Sequence, residues 1–283
     1  MAREETIRRI EPWRRGLTRR SGQSRAQPTQ LRVGCSGWQY KHWRGEFYPV
    51  DLPVAHWLEY YAQHFDTVEV NNSFYRLPEA ATFADWHARV GDDFVYSVKA
   101  SRFLTHMKKL KDPKGPVDRF FGRVRQLKAS AGPVLYQLPP GWHVNLDRLN
   151  TFVAALPLGQ RHVMEFRDPT WYVDEVYDTL TRHGVAMCLH DMAGAAPPNR
   201  RLVGAFIYLR FHGPQKYGGR YSNETLADWA TWCAARLIEG TPVYAYFNND
   251  TEGHAPRDAV RLRDLIAHAT SGEVIGPLAD VLT

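Results

Sequence analysis

Six hydrophobic segments of this chain end in alternating polar and apolar residues, and the polar members are kinds that move protons or hold anions. Glu69 stands between Val68 and Val70 and is followed by Asn71; Glu165 and Arg167 flank Phe166; Arg210 and His212 flank Phe211. Lys99 follows Val98, Gln137 stands two places beyond Leu135, and Tyr246 and Asn248 flank Phe247. Carboxyl and imidazole groups withdrawn from water act as general acids and bases, which makes Glu69, Glu165 and His212 the candidate catalytic residues. Lys99, Arg167 and Arg210 supply charge for an anion, while Asn71, Gln137 and Asn248 supply amides that read hydroxyl groups. Tyr75 and Tyr217 complete the candidate substrate-binding set.

Each residue alone also has a structural use. Glu165 beside Arg167 or Arg210 reads as an ion pair, and a strand-end amide can satisfy backbone groups. Repetition at the same end of six segments is what favours a pocket, because leaving so many charges desolvated without use costs several kcal/mol per unpaired ion. The loop HGPQKYGGRYS (212–222) adds glycines whose N–H groups can approach a phosphate, with Lys216 and Arg220 for charge. Aromatic residues gather near the same ends: Trp38, Tyr40, Trp43, Phe74, Tyr75 and Trp171, with rim packing the alternative to ligand contact.

Other chemistries fit less well. Glu165, His190, Asp191 and His212 would be the ligands of a divalent metal, but no HxH or HExxH spacing occurs and three nearby cations oppose a second positive ion. No metal or other cofactor is therefore assigned. A retaining glycosidase needs two free carboxylates about 5 Å apart, and Glu69 and Glu165 both stand among cations.

The elements that must position these groups alternate. Strand-like runs occupy 31–38, 67–71, 93–100, 133–139, 162–167, 185–191, 205–213 and 242–249. Between them fall apolar stripes at helical spacing. Leu58, Tyr61 and Phe65 form one; Phe83, Trp86 and Val90 a second; Phe120, Val124, Leu127 and Ala131 a third. Leu226, Trp229, Cys233 and Leu237 follow Ser222 or Asn223 as N-cap, and Ala259, Leu262 and Ile266 follow Pro256. The link 192–204, with Pro197 and Pro198, reads as a loop. Eight strand–helix repeats without a dinucleotide fingerprint imply a single-domain (β/α)₈ TIM barrel over 31–283, with its chemistry at the C-terminal strand ends.

The formal charge of +6 suggests nucleic acid until it is located. Residues 1–30 carry eight arginines against three acids, a net of +5, leaving about +1 for the remainder. That N-terminal stretch, with Gly, Ser, Gln and Pro among its arginines, reads as a disordered extension. Three scattered cysteines without a CxxC pair favour a reducing, cytoplasmic setting, and no run of about 18 apolar residues suggests a membrane span.

Seven runs then carry a resemblance: GCSGWQYKHWRGEFYP (34–49), YAQHFDTVEVNNSFYRLP (61–78), FVYSVKASRFLTH (94–106), VLYQLPPGW (134–142), EFRDPTW (165–171), YLRFHG (208–213) and FNNDTEGHA (247–255). Together they resemble the YecE-like family, domain of unknown function 72, over roughly residues 31–268. The resemblance implies a TIM barrel of unassigned activity, with recurring positions at Glu69, Asn71, Tyr75, Lys99, Gln137, Glu165, Arg167, Arg210, His212 and Asn248. Asp168 stands where the family often has His, Cys35 where Thr is common, and the Arg-rich extension is outside the shared region.

The favoured function is an enzyme, of hydrolase, lyase or isomerase type, acting by acid/base chemistry on a small phosphorylated or carboxylated, sugar-like anion. The alternatives are a metal-dependent nucleic-acid hydrolase or binder, which the near-neutral body disfavours, and a non-catalytic ligand-binding barrel. Oligomeric state is not legible.

Overall fold

Short runs rich in Val, Tyr and Phe, buried on both faces, form parallel strands when helices cover them. The computed structural model describes residues 31–193, 199–215 and 217–271. The Arg-rich stretch 1–30, Pro197, Pro198 and Lys216 lie outside the described residues. Eight strands form one parallel sheet: β1 (Leu31–Cys35), β2 (Thr67–Val70), β3 (Val95–Lys99), β4 (Ala131–Gln137), β5 (His162–Glu165), β6 (Ala186–Asp191), β7 (Ile207–Phe211) and β8 (Val243–Phe247). Their order, β1-β8-β7-β6-β5-β4-β3-β2, brings the first and second strands together as the two ends of a curled sheet. All eight predicted strands are present in a TIM-like α/β barrel.

Helices return the chain between strands. They are α1 (Trp57–His64), α2 (Asn72–Tyr75), α3 (Ala80–Val90), α4 (Lys114–Val124), α5 (Leu146–Ala154), α6 (Asp174–Arg182), α7 (Asn223–Ile238) and α8 (His254–Ser271). Ser222 caps α7, its hydroxyl accepting from Thr225 N–H at 3.2 Å, and Pro256 lies in the first turn of α8. Among the described residues no helix joins β6 to β7, as the prolines of that link imply. One expectation needs correction. Ala131, assigned to a helical stripe, begins β4 instead. The chain leaves α4 through a 3₁₀ turn and reverses at Lys128, whose φ of 50° and ψ of −125° no helix accommodates.

Period-two alternation splits the apolar residues into two layers. Leu135, Val163, Ala186, Cys188, Phe206, Tyr208, Tyr244 and Tyr246 fill the barrel interior. Val134, Met164, Met187, Leu189, Leu209 and Ala245 join the larger core that includes the helices. The same parity carries on to the strand ends, where the inward positions become polar.

Among the described residues no ladder joins β1 to β2, the two ends of the sheet. At this seam Tyr61 of α1 substitutes a side chain for ladder bonds: its hydroxyl accepts from Cys35 N–H at 2.8 Å and donates to Thr67 C=O at 3.1 Å. Gly34 permits the approach, since a Cβ there would stand 2.3 Å from Thr67 O. Above it, Asn71 Nδ2 donates to Ser36 C=O at 3.2 Å.

Candidate active site

The floor of the barrel mouth is built around Arg210, which is 1% exposed between two carboxylates that are 0% exposed. Its Nη2 and Nε donate to Glu69 Oε1 at 2.8 and 3.2 Å, and Nε also reaches Oε2 at 3.0 Å. Its Nη1 donates to Glu165 Oε2 at 2.8 Å. Glu69 also accepts from Ser36 Oγ and from Tyr208 OH, each at 2.7 Å. Each oxygen of Glu69 thus faces at least two donors, and its acceptor capacity is taken up within the cluster. A guanidinium taken out of water is tolerable here because both neighbours are anionic. Burial alone would lower the Arg210 pKa, but Glu165 and Glu69 raise it well above the usual range.

Glu165 is shared. Its Oε1 pairs with Arg167 Nη2, so two arginines grip one carboxylate. Burial pushes the Glu165 carboxyl up, but Arg167, Arg210, His190 and His212 together outweigh it and hold the group well below the usual range. The acid at this position is therefore an anion at neutral pH.

His212, also 1% exposed, is held well below the usual imidazole range by burial first and by Arg210 second. Its Nε2 meets Arg167 Nη2 at 2.8 Å and its Nδ1 meets the Asn248 carboxamide at 3.1 Å. Arginine only donates, so Nε2 must accept and the single ring proton sits on Nδ1. The Asn248 amide nitrogen is the atom that faces Nδ1, and a half-turn of the carboxamide would bring its oxygen there to accept from Nδ1–H. His190, inward on β6, is likewise lowered by burial, to about 4. Both imidazoles are neutral at neutral pH.

Around this floor stand half-buried residues: Asn71, Lys99, Gln137, Arg167 and Asn248. Gln137 lies opposite Glu165 in the β4–β5 register. Lys99 Nζ rests 4.3 Å from the centroid of the Phe74 ring and, among the described residues, makes no ion pair. Its pKa falls to about 8, from burial first and then from Arg210, with Glu165 and Glu69 opposing. Four buried polar atoms here have no hydrogen-bond partner among the described residues: Asn71 Oδ1, Arg167 Nε, His190 Nδ1 and Glu165 Oε1, the last of which is in ion-pair contact with Arg167 Nη2.

Most of the sequence-assigned residues thus meet at one end of the barrel. Tyr217 stands at the rim, its ring 5.4 Å from that of His212. Tyr75 is 75% exposed at the end of α2 and touches Phe74 rather than the floor. Of the aromatics, Trp38, Trp43 and Trp171 are buried packing residues. Asp191 faces outward, accepting from Tyr221 OH at 2.9 Å and Trp229 Nε1 at 3.3 Å. The set Glu165, His190, Asp191 and His212 is therefore not gathered, and the described residues contain no group of three or more His, Cys, Asp or Glu placed to hold a metal. Asp168 caps the short turn Pro169–Trp171 by accepting from Thr170 N–H at 3.1 Å.

Ser36 and Tyr208 are not among the sequence-assigned residues, and His190 is among them only as a conceivable metal ligand. Tyr208 and His190 have a sequence signal, since each shares strand parity with an inward neighbour, Arg210 and Cys188 respectively. A cavity of about 530 Å³ lies apart from this cluster, lined by Arg76, Phe103, Lys108, Arg119, Phe120 and Arg123 among others and by no sequence-assigned site residue.

A family model described as protein of unknown function DUF72 matches residues 32–279. The chain belongs to this family. The protein YunF of Bacillus subtilis is 24% identical over 280 residues, covering 85% of this chain and 96% of its own length. YecE of Escherichia coli K12 is 29% identical over 152 residues, 53% of either chain. A crystal structure of a DUF72 protein from Thermotoga maritima superposes with a TM-score of 0.75 at 25% identity, covering 84% of this chain and 99% of that one. A DUF72 protein from Enterococcus faecalis gives 0.72 at 16% identity, covering 84% and 95%. The DUF72 model begins one residue after β1 does and spans every strand of the barrel. Among the described residues no helix is long and apolar enough to cross a membrane.

Proposed function

We propose that the barrel mouth is the active site of an enzyme that binds a small, hydroxyl-bearing anion, phosphorylated or carboxylated, and moves a proton on it. The observation carrying this is the convergence of unpaired polar groups over a saturated floor. Arg167 Nε offers a donor, Asn71 Oδ1 needs one, and His190 Nδ1 serves as either. Lys99 adds an ammonium without a carboxylate partner. An anion alone satisfies the donors, but only a ligand with hydroxyl groups also satisfies Asn71. Leaving such groups unpaired costs about 1–3 kcal/mol each, which a matching ligand recovers.

Roles divide by hydrogen bonding. Arg210 and Glu69 support their neighbours, because their bonds are consumed within the floor. Arg167 and Lys99 meet the anion. His212 takes the proton at Nε2 once the ligand draws Arg167 away, with Asn248 holding the ring, and Glu165 stabilises the resulting imidazolium from 4.0 Å. Nucleic acid is the second candidate and has less support, since the floor's arginines already serve carboxylates and charge outside residues 1–30 is near zero.

Thermal shift against phosphorylated sugars, sugar acids, inorganic phosphate, divalent metals and short DNA tests the proposal. A ligand at 100 times its Kd adds about 2.7 kcal/mol. A hydroxylated anion should stabilise the wild type and lose its effect in Arg167→Gln, which spares Arg210. Stabilisation by DNA alone, or no response to any anion, overturns it.

A further inference from the structure

Lys99 occupies an unusual place in the charge pattern of the mouth. Four charged groups face it: Arg210 and Arg167 as cations, Glu69 and Glu165 as anions. The two arginines hold both carboxylates, by the bonds described above, so neither acid reaches the lysine. Its Nζ lies over the Phe74 ring, and that ring also meets His106 and Tyr75 at 4.9 and 5.1 Å between ring centroids. The backbone beneath is fixed: the Lys99 carbonyl accepts from Ser73 Oγ at 2.6 Å, and its register partner is Leu135 of β4. An amine so placed is anchored at the strand end, backed by an apolar ring and next to cations, and among the described residues no carboxylate is in ion-pair contact with it.

We propose that Lys99 is a nucleophile that forms an imine with the carbonyl carbon of a small anionic aldehyde or ketone bound at the mouth. This rests on the anion-binding function proposed above and narrows the substrate class to carbonyl compounds. In the step, the Nζ lone pair of the neutral amine bonds to the carbonyl carbon while the C=O π pair moves to oxygen, which takes a proton. The resulting carbinolamine then loses that oxygen as water, with a second proton from the medium, leaving a protonated C=N bond at Nζ. Amine, carbonyl and one net proton become iminium and water, and no oxidant or reductant is needed. Arg167 would hold the phosphate or carboxylate of the same molecule. The iminium then draws electrons from the adjacent carbon, where the neutral His212 is the available proton acceptor.

The free-amine fraction supports the assignment. With a pKa of about 8 against the ordinary 10.5, roughly 300 times more of Lys99 is unprotonated at pH 7 than of an unshifted lysine. A lysine that only held the anion by charge would gain nothing from this.

Reductive trapping of the full-length protein tests it. The protein is incubated with pyridoxal 5′-phosphate or glyoxylate, reduced with borohydride so that hydride fixes the imine as a secondary amine, and mapped by peptide mass spectrometry. Lys99 should be modified at least tenfold faster than exposed Lys41 and Lys111, with the rate rising through about pH 8. Inorganic phosphate should suppress the Lys99 adduct and leave the other two unchanged. Lys99→Arg should lose the adduct at this position and leave the labelling of Lys41 and Lys111 unchanged. Labelling of Lys99 no faster than of Lys41 overturns the imine, even where anions stabilise the protein and the anion-binding function stands. Rapid labelling without any anion effect keeps the nucleophile and overturns the anion site.

Discussion

Replacing Arg210 by Met isolates the cost of the buried floor, because Met fills much of the same length with no charge and no donor. Glu165 keeps Arg167 as a partner, so the group left exposed to the low-polarity interior is Glu69. Its remaining donors are Ser36 Oγ and Tyr208 OH, each neutral. Removing one partner of a buried pair costs about 3–5 kcal/mol, most of it the uncompensated charge that stays behind. At about 2–4 °C per kcal/mol for a domain of this size, the loss in Tm is about 6–20 °C.

Urea unfolding at pH 7 measures the change, and a second variant identifies its cause. Glu69→Gln in the Arg210→Met background removes the stranded charge and should recover at least half of the loss, a coupling of about 1–3 kcal/mol between contacting residues. A loss under about 1 kcal/mol, or a large loss that Glu69→Gln does not relieve, would refute the view of Arg210 as the charge that holds the floor together.

Two further outcomes follow from the geometry. Gly34→Ala places a methyl group 2.3 Å from Thr67 O at the seam, so it should destabilise by about 1–3 kcal/mol; calorimetry showing an unchanged Tm would mean the seam can open. Acid should unfold the protein in two stages. The folded pKa of His190, about 4, lies below its unfolded 6.5, so the stability tied to its neutral ring is whole above pH 6.5 and drains away toward pH 4, about 3 kcal/mol in all. Glu165, also depressed, holds its contribution above about pH 4.5 and loses it only as pH falls further. A urea midpoint that is flat between pH 6.5 and 4.5 would contradict the first stage.

Strand parity made much of this site legible. Counting by twos from Arg210 along β7 reaches Tyr208 and His212, and all three turn inward; the same count on β5 joins Val163, Glu165 and Arg167. Parity fails where a strand ends: Tyr75, four residues past Asn71, sits on a helical turn that carries it into solvent. It is equally silent on which charges meet across the barrel. Glu69 and Arg210 are 141 residues apart, and Glu165 could have paired with either arginine; the structure gives it both. That pairing separates the cations by role. Arg210 has the charge of a ligand-binding residue but each of its guanidinium nitrogens is already bonded within the floor, whereas Lys99, read from sequence as one cation of three, makes no ion pair among the described residues. The chemistry open to the mouth therefore depends less on which charged residues are present than on which remain unpaired once the floor has formed.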